Sequence, residues 1–307
     1  MRVVVTEFMD ERAVARLKAR HDVLHDPSLV DDPRRLHAEA ARADALIVRN
    51  RTQVRGELLA SLAHCAVVGR LGVGLDNIDV AGCEARGIRV IPATGANAAS
   101  VAEYVIGTAM LLLRGAYGST AQVAAGRWPR EALSGGREIG GRVLGLVGFG
   151  SIGQVTARLA QGVGLRVIAH DPLLDAASPM FAQAGVQSVS LDEVLASADI
   201  VSLHVPLVDS TRGLLDARRI ASMKRGAILI NSARGGIVDE VAVADALGRG
   251  ALGGAALDVF ETEPLPPSSH FTDCPNLILT PHVAGVTVDS NERVSFLIAD
   301  KVLEALG

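Results

Sequence analysis

The sequence predicts an α/β fold built from two parallel sheets covered by helices. Short apolar runs alternate with polar or amphipathic stretches from the first residue onward, as strands alternate with crossover helices. The 307 residues are enough for two hydrophobic cores. Hydrophobic residues make up 49% of the chain and aromatic residues only 3%, so the cores are aliphatic, as is typical of helix-covered parallel sheets.

The predicted strands fall into two series. The first series contains Val3–Val5, Ala45–Val48, Val67–Arg70 and Arg89–Ile91. The second series contains Val143–Val147, Arg166–Ala169, Ile200–Val205, Ala227–Ile230, Ala255–Leu257 and Leu277–Leu279. The second series has the strand count of a doubly wound dinucleotide-binding domain, in which a parallel sheet carries helices on both faces.

Two predicted helices set the domain organisation. One spans Ser100–Arg114, with Ser100 as its N-cap and Glu103 at the capping-box position. The other spans Asp289–Leu306 and has no further sheet to cover, so we expect it to return to the first domain. We therefore predict two Rossmann-like domains. A doubly wound domain over residues 99–284 is inserted into a smaller, flavodoxin-like domain over residues 1–98 and 285–307.

Composition and charge argue against several classes of partner. The formal net charge is −4 and no basic run occurs, so nucleic acid is not an expected partner. The three cysteines form no CxxC pair, which favours a reducing compartment without disulfides and gives no metal-ligand pattern. The N-terminus lacks a signal peptide, and apolar stretches such as Tyr104–Leu113 are too short to span a bilayer. We expect a cytoplasmic protein with no membrane or metal partner.

The strand Val143–Val147 runs into a G-x-G-x-x-G motif. Gly148 permits a tight turn, Gly150 lets the backbone approach a pyrophosphate, and Gly153 allows the helix and strand to pack closely. The amides of Ser151 and Ile152, which open the next helix, then face the phosphate charge. Because a strand precedes the motif and a helix and second strand follow it, the pattern predicts dinucleotide binding.

Asp171 ends the second strand of this unit, eighteen residues past Gly153. A carboxylate at this distance accepts hydrogen bonds from the adenosine ribose, and it repels a 2′-phosphate. The alternative is an Asp that caps the turn before Pro172. The complete strand–loop–helix–strand context favours the ribose contact, and with it NAD rather than NADP.

Polar residues after three strands of the second series are candidates for the chemistry, namely Arg234, the acidic segment Asp258–Pro264 and His282. Arg234 lies between a small residue and two glycines, where its guanidinium could bind a substrate carboxylate in a bidentate fork. A structural salt bridge is the alternative. His282, between Pro281 and a small residue, could shuttle one proton if a nearby carboxylate stabilised its protonated ring.

These motifs, taken together, resemble the D-isomer-specific 2-hydroxyacid dehydrogenase family over nearly the whole chain. The segments that carry the resemblance are Arg70–Asp79, Ser100–Glu103, the glycine loop, Ser232–Gly235, Asp258–Pro264 and Pro281–His282. The resemblance implies a dehydrogenase that uses NAD to interconvert a D-2-hydroxy acid and its 2-oxo acid.

The resemblance also implies residue roles. His282 would be the general acid in reduction and the base in oxidation, Glu263 would hydrogen-bond it, and Arg234 would bind the substrate. Asp258 is similar to the residue that holds the nicotinamide carboxamide. Further residues are expected at the substrate, namely Val73, Gly74 and Asn97, and at the cofactor, namely Val205, Pro206, Ser232, Ala233 and Gly285.

The identity of the hydroxy acid is left open by the sequence. In this family the segment holding Arg49, Asn50 and Arg51 faces the substrate, and two arginines could contact a second anionic group such as phosphate or sulfonate. Solvent-exposed arginines are the alternative. Phosphoglycerate and hydroxypyruvate or glyoxylate are the first candidates. The opening Glu7–Asp10 and the segment Asp26–Asp31 resemble members that act on sulfolactate.

Other functions and the assembly follow from the same resemblance. Phosphite oxidation is an alternative within the fold, whereas Glu263 argues against formate dehydrogenases. A corepressor-like module that senses NAD is the non-enzyme alternative, which an intact Arg, Glu and His set disfavours. Family members are typically homodimers joined through the NAD domains. The helix from Ser100, with its apolar run Val105–Leu113, is expected at that contact.

Overall fold

Two parallel sheets of five and seven strands form the framework of the computed structural model, which describes residues 1–267 and 269–307. The predicted α/β class is confirmed. The chain divides into two compact units, one made of Met1–Asn97 with Val286–Gly307 and one made of Ala98–Gly285. Each unit contains one of the two sheets.

The first unit has the strand order β2-β1-β3-β4-β5, with all pairs parallel. Its strands are β1 (Arg2–Val5), β2 (Asp22–His25), β3 (Ala45–Val48), β4 (Val67–Arg70) and β5 (Arg89–Pro92). Its helices are α1 (Glu11–Lys18), α2 (Pro33–Ala40), α3 (Gly56–Ser61), α4 (Val80–Glu84) and α12 (Val288–Leu306), with a 3₁₀ turn at Leu29–Asp31.

The last helix, α12, packs on the sheet of the first unit. Thr287 caps it in a capping box with Ser290, and its apolar face shares a core with β1, β3 and β4. A Cβ on Gly69 would lie 2.7 Å from Ile298 Cγ2, so the glycine in β4 lets the helix approach the strand. This packing places Asn291, at the beginning of α12, beside Arg49 of the segment that follows β3.

The second unit has the strand order β12-β11-β10-β9-β6-β7-β8, again all parallel. Its strands are β6 (Val143–Val147), β7 (Arg166–His170), β8 (Gln187–Ser188), β9 (Ile200–Leu203), β10 (Ala227–Asn231), β11 (Leu252–Leu257) and β12 (Leu277–Leu279). Its helices are α5 (Ala98–Arg114), α6 (Thr120–Ala124), α7 (Ser151–Gly162), α8 (Pro179–Gln183), α9 (Leu191–Ser197), α10 (Ala217–Ala221) and α11 (Glu240–Gly248), with a 3₁₀ turn at Tyr117–Ser119.

Three details differ from the sequence prediction. Strands β2 and β8 were not predicted, because both lie at sheet edges and show no clear apolar run. Helix α5 begins at Ala98, so Ser100 lies inside its first turn and is buried there rather than preceding the helix as a cap. The capping prediction was therefore wrong.

Among the described residues no single helix has both the length and the apolar character needed to cross a bilayer. One pair of helices, Ala98–Arg114 and Tyr117–Ala124, is long and apolar enough when the two are taken together, but the pair is bent by 70°.

Candidate active site and nucleotide-binding loop

The glycine motif forms the turn between β6 and α7. Gly148 has φ +100°, a conformation that favours glycine, and a Cβ there would lie 2.5 Å from the carbonyl oxygen of His204. A Cβ on Gly153 would lie 2.5 Å from the Gly148 carbonyl oxygen. Two of the three glycines are therefore required by close backbone packing, as the motif predicts.

The third glycine leaves room for a ligand. A Cβ on Gly150 would meet nothing within 4 Å, so the space over its backbone is open. Gly150 is also the N-cap of α7, and no side chain caps the first turn that Ser151 and Ile152 begin. A twelve-residue helix with uncapped amides and open space before them fits a pyrophosphate.

Asp171 follows β7 and fixes the glycine loop. Its Oδ2 accepts a hydrogen bond from the Phe149 amide at 2.7 Å, and its Oδ1 accepts one from the Leu173 amide at 2.9 Å. Each carboxylate oxygen retains a second acceptor position, which fits the two hydroxyls of a ribose. The two roles considered for Asp171, capping the turn and binding the ribose, are therefore compatible. The carboxylate caps a turn and still has acceptor positions for a ligand.

The other residues predicted at the cofactor lie at strand ends of the same sheet. Val205 is buried against Gly148, whereas Pro206 is exposed. Ser232 and Ala233, after β10, are half-buried, as is Gly285 after β12. The Ser232 Oγ is buried and has no hydrogen-bond partner among residues 1–267 and 269–307. A buried orphan hydroxyl at a strand end is an observation that fits a polar ligand.

The loop that carries Arg234 is held by the last residue of β10. Asn231 is buried, its Nδ2 donates to the Arg234 carbonyl at 2.9 Å, and its Oδ1 accepts from the Ala233 amide at 3.1 Å. A Cβ on Gly235 would collide with the Phe260 carbonyl, so glycine is needed where this loop meets the next one. Sequence reasoning assigned Asn231 no role, although its place beside Arg234 was a signal.

His282 and Glu263 are directly paired. His282 Nδ1 lies 2.8 Å from Glu263 Oε2, while Glu263 Oε1 accepts from the Phe260 amide at 3.0 Å. The side chains of His282 and Glu263 are 49% and 37% exposed, so the pair is accessible to a substrate. The carboxylate occupies Nδ1 and leaves Nε2 as the ring nitrogen that can exchange a proton with a ligand.

Asp258 follows β11 and fixes the loop that carries His282. Its Oδ1 accepts from the Thr280 hydroxyl at 2.6 Å and the Val283 amide at 2.8 Å, and its Oδ2 accepts from the Ala284 amide at 2.8 Å. The residue is only 1% exposed. A carboxylate has about four acceptor positions, so one on Oδ2 remains for another donor.

The backbone of His282 is strained. Its φ is +56°, a left-handed conformation that His adopts more readily than most residues but that still costs roughly 1–2 kcal/mol. Its amide donates to the carbonyls of Asp258 at 2.8 Å and Thr280 at 3.0 Å. Such strain persists where the surroundings over-determine a conformation, and it marks functional loops.

In the first unit, the loop after β4 presents backbone donors. Gly72 has φ +154°, and its carbonyl accepts from the Ala93 amide at 2.8 Å. Within the described ranges, the amides of Val73 and Gly74 donate to no other backbone carbonyl. The Oδ1 of Asn97 is buried and has no partner there either. These groups fit a small polar ligand, as predicted for the three residues.

The segment after β3 separates the two arginines that the sequence could not distinguish. Arg49 is half-buried, its Nη2 donates to Asn291 Oδ1 at 2.8 Å, and its guanidinium lies 5.7 Å from the centre of the Phe8 ring. Burial lowers the pKa of Arg49. Arg51 is exposed and forms an ion pair with Asp31. Asn50 is exposed.

Glu7 holds this segment in place. It is 5% exposed, its Oε1 accepts from the amides of Arg49 at 2.9 Å and Thr52 at 3.0 Å, and its Oε2 accepts from the Arg51 amide at 3.1 Å. Asn77 Nδ2 donates to the carbonyls of Arg49 and Thr52. The role of Glu7 could not be predicted from the sequence, because nothing local shows what a strand-end carboxylate will bind.

Known proteins resemble this chain over its full length. Residues 106–284 match the family model described as D-isomer specific 2-hydroxyacid dehydrogenase, NAD binding domain. A protein of Chromohalobacter salexigens named (S)-sulfolactate dehydrogenase is 53% identical over 99% of this chain and 98% of its own. A D-3-phosphoglycerate dehydrogenase of Mycobacterium leprae is 39% identical over 99% of this chain, which spans 56% of that relative's length.

Solved structures agree with the fold. A protein of Thermus thermophilus is 34% identical to this chain and superposes on it with a TM-score of 0.88. The match covers 100% of this chain and 97% of that protein. The family model spans more than half of the chain, and the relatives are named dehydrogenases. The chain therefore belongs to the D-isomer-specific 2-hydroxyacid dehydrogenase family and is an NAD-dependent 2-hydroxyacid dehydrogenase.

Proposed function

We propose that His282, Glu263 and Arg234 carry out the interconversion of the 2-hydroxy acid and its 2-oxo acid. The observation that carries this proposal is the 2.8 Å contact between His282 Nδ1 and Glu263 Oε2. The carboxylate stabilises the imidazolium, so that the ring can give up a proton from Nε2 and take it back. Arg234 binds the substrate carboxylate and polarises the carbonyl.

The bound nicotinamide would supply the hydride to C2 as NADH or accept it from C2 as NAD⁺. In reduction His282 Nε2 protonates the carbonyl oxygen as the C=O electron pair moves onto it, and the ring becomes neutral with Nδ1–H still donating to Glu263. In oxidation the neutral Nε2 takes the hydroxyl proton while the electron pair of the C2–H bond leaves as hydride. Arg234 remains charged in both directions.

The cofactor lies, in this proposal, on the glycine loop and Asp171. The amides at the start of α7 face the pyrophosphate, and the free acceptor positions of Asp171 receive the ribose hydroxyls. Asp171 excludes a ribose 2′-phosphate because two negative charges would share one small site. Comparing kcat/KM for NAD and NADP tests this point; a preference for NADP would overturn it.

We also assign to the substrate the amides of Val73 and Gly74, which donate to no backbone carbonyl within the described ranges, and Asn97, whose buried Oδ1 can accept a hydroxyl proton. The N–H groups of successive residues form a concave nest for an anion.

A second anionic group on the substrate is bound by Arg49. Among the described residues no carboxylate lies within the 4.0 Å ion-pair distance of its guanidinium, and the groups that hold it, Asn291 and Phe8, are neutral. Its charge is thus available to a ligand. The charge of Arg51 is already balanced by Asp31, so Arg51 contributes little.

These features favour (S)-sulfolactate, the substrate in the name of the 53% identical relative. The compound carries a sulfonate and a carboxylate, the two anions that the site requires. Its (S) label describes the same spatial arrangement as D-lactate, because the sulfur-bearing carbon outranks the carboxyl carbon and exchanges two priorities. It is therefore a D-configured substrate. D-3-phosphoglycerate is the second candidate, because its phosphate also suits Arg49 and relatives carry its name.

The test is a comparison of kcat/KM for hydroxy acids with NAD. The panel contains both enantiomers of sulfolactate, D-3-phosphoglycerate, D-glycerate and D-lactate. We expect (S)-sulfolactate to be used best and its enantiomer not at all. A better rate with D-3-phosphoglycerate would replace the substrate assignment, and equal rates with the monoanionic acids would remove the second-anion site.

The two arginines provide a matched pair of variants. Arg49→Met should raise KM for (S)-sulfolactate about 10- to 100-fold, the effect of losing a charge-assisted hydrogen bond. The KM for D-lactate should change little. Arg51→Met should change either KM less than about twofold, because an exposed ion pair contributes little. Equal effects of the two substitutions would contradict the assignment.

We further propose a homodimer through the second unit. Helix α5 exposes Met110 and Leu111, and the segment after it exposes Tyr117, Val123 and Trp128. Large apolar side chains grouped along one stretch of a chain favour contact with a second copy. Light scattering at micromolar concentration should give twice the mass of 31.9 kDa, and a monomer would contradict this proposal.

A further inference from the structure

A chain of hydroxyl groups connects helix α5 to the carboxylate that fixes the His282 loop. The Tyr104 hydroxyl lies 2.8 Å from Thr280 Oγ1, and Thr280 Oγ1 donates to Asp258 Oδ1 at 2.6 Å. Tyr104 lies 176 residues from Thr280 in the sequence and belongs to a different element of the same unit. None of the catalytic roles assigned above uses either hydroxyl.

The direction of the hydrogen bonds in this chain is fixed by chemistry. Asp258 can only accept, so Thr280 gives it the single hydroxyl proton that a threonine has. Thr280 must then accept from Tyr104, which acts as the donor. The tyrosine is half-buried, and burial raises its pKa, so its hydroxyl stays protonated near neutral pH.

The chain ends on the group that holds His282 in its strained conformation. Asp258 also accepts from the amides of Val283 and Ala284, which follow His282 in a loop that would otherwise be free to relax. Its carbonyl accepts from the His282 amide. A buried carboxylate can serve as this anchor only if donors compensate for its loss of water, and Thr280 is the side-chain donor among them.

We propose that Thr280 and Tyr104 are positioning residues for His282: they orient the Asp258 carboxylate and thereby keep the imidazole where it can exchange a proton with the substrate. This proposal rests on the assignment of His282 as the proton carrier. Thr280 acts directly on Asp258 and Tyr104 acts through Thr280, so the two hydroxyls should differ in importance.

Thr280→Val tests the proposal because valine keeps the shape and removes the hydroxyl. We expect kcat to fall about 10- to 100-fold, as for a lost hydrogen bond to a charged group. KM for the hydroxy acid should change less than about twofold, because Arg234 and Arg49 are untouched. Thr280→Ser, which restores a hydroxyl, should recover most of kcat. Tyr104→Phe should lower kcat about two- to fivefold, as for a neutral hydrogen bond.

Controls separate positioning from folding and from failure of the catalytic assignment. Thr272→Val removes the hydroxyl of an exposed threonine in the same unit and should behave as wild type. In Thr280→Val, hydrogen exchange of the backbone amides of residues 281–285 should accelerate. The Tm of this variant should stay above the assay temperature, so that the protein is folded when kcat is measured. If His282→Asn is inactive but Thr280→Val keeps its kcat, or if Thr280→Ser fails to recover it, the positioning proposal is wrong. If His282→Asn remains active, the catalytic assignment itself fails.

Discussion

In two regions of the molecule, a buried carboxylate holds the backbone segment that carries a basic side chain. In the first unit, buried Glu7 accepts three backbone amides from the segment that carries Arg49. In the second unit, buried Asp258 accepts the Thr280 hydroxyl and two backbone amides from the loop that carries His282. In both regions, a carboxylate at the end of a parallel strand fixes a backbone rather than binding the substrate.

The difference lies in what the functional side chain contacts. His282 is paired with a second carboxylate, Glu263, whose Oε2 lies 2.8 Å from its Nδ1. Arg49 is held by the amide of Asn291 and the face of Phe8; among the described residues no carboxylate forms an ion pair with its guanidinium, and Glu7 acts on it only over a longer distance. A proton carrier needs a carboxylate that accepts from its ring in both protonation states, whereas an anion-binding residue needs neutral partners. The comparison predicts that the first region controls KM and the second controls kcat.

The largest effect is expected for His282→Asn. Asparagine tolerates positive φ, so the loop can keep its conformation, but no group remains to exchange the proton. We expect kcat to fall about 10²- to 10⁴-fold with a Tm close to wild type. The exposed His64→Asn serves as the control. Near-normal turnover by His282→Asn would exclude this residue as the proton carrier.

Glu263→Gln should lower the rate by about tenfold. Glutamine keeps the length of the side chain but replaces the carboxylate that His282 Nδ1 contacts at 2.8 Å with a neutral amide, so the imidazole loses its hydrogen bond to a charged group. The control is Glu261→Gln, whose side chain is exposed; an unchanged rate in Glu263→Gln would contradict its role.

Glu7→Gln weakens the equivalent anchor in the first unit. A glutamine offers one carbonyl oxygen where three amides require acceptors, so the Arg49 segment should loosen. KM for (S)-sulfolactate should rise about tenfold, as for the loss of a hydrogen bond to a charged group, with kcat within about twofold. Glu57→Gln, on an exposed helix position, is the control. A fall in kcat at constant KM would contradict the expectation that the first region controls KM.

Substitutions at Asn291 test whether Arg49 needs a neutral partner. Asn291→Asp places a carboxylate beside Arg49, as Glu263 stands beside His282, and should raise KM for (S)-sulfolactate several-fold by balancing its charge. Asn291→Ala removes only a neutral hydrogen-bond partner and should raise KM about two- to fivefold. A tighter KM in the Asp variant would show that the charge of Arg49 is not used for binding.

Much of the fold and of the second-unit site could be predicted from sequence because the signals are local. A strand, G-x-G-x-x-G and a helix occupy one short stretch, and all six strands predicted in the second series are present. Strands β2 and β8 were not predicted because these edge strands are short and only partly buried. The prediction of Ser100 as an N-cap was wrong because this serine is buried in the first turn of the helix.

The supporting contacts could not be predicted because they join distant parts of the chain. Arg49 and Asn291 are 242 residues apart, and Tyr104 and Thr280 are 176 apart. Arg49 and Arg51 are equivalent in the sequence pattern. Only the fold shows that Asp31 balances one and that Asn291 and Phe8 hold the other.

The most direct test measures the ratio of kcat/KM for (S)-sulfolactate to that for D-lactate in wild type, Arg49→Met and His282→Asn. We expect Arg49→Met to reduce the ratio about 10- to 100-fold. We expect His282→Asn to lower both values together and to leave the ratio unchanged. A ratio that survives Arg49→Met, or that falls in His282→Asn, would contradict the division between an anion-binding region and a proton-transfer region.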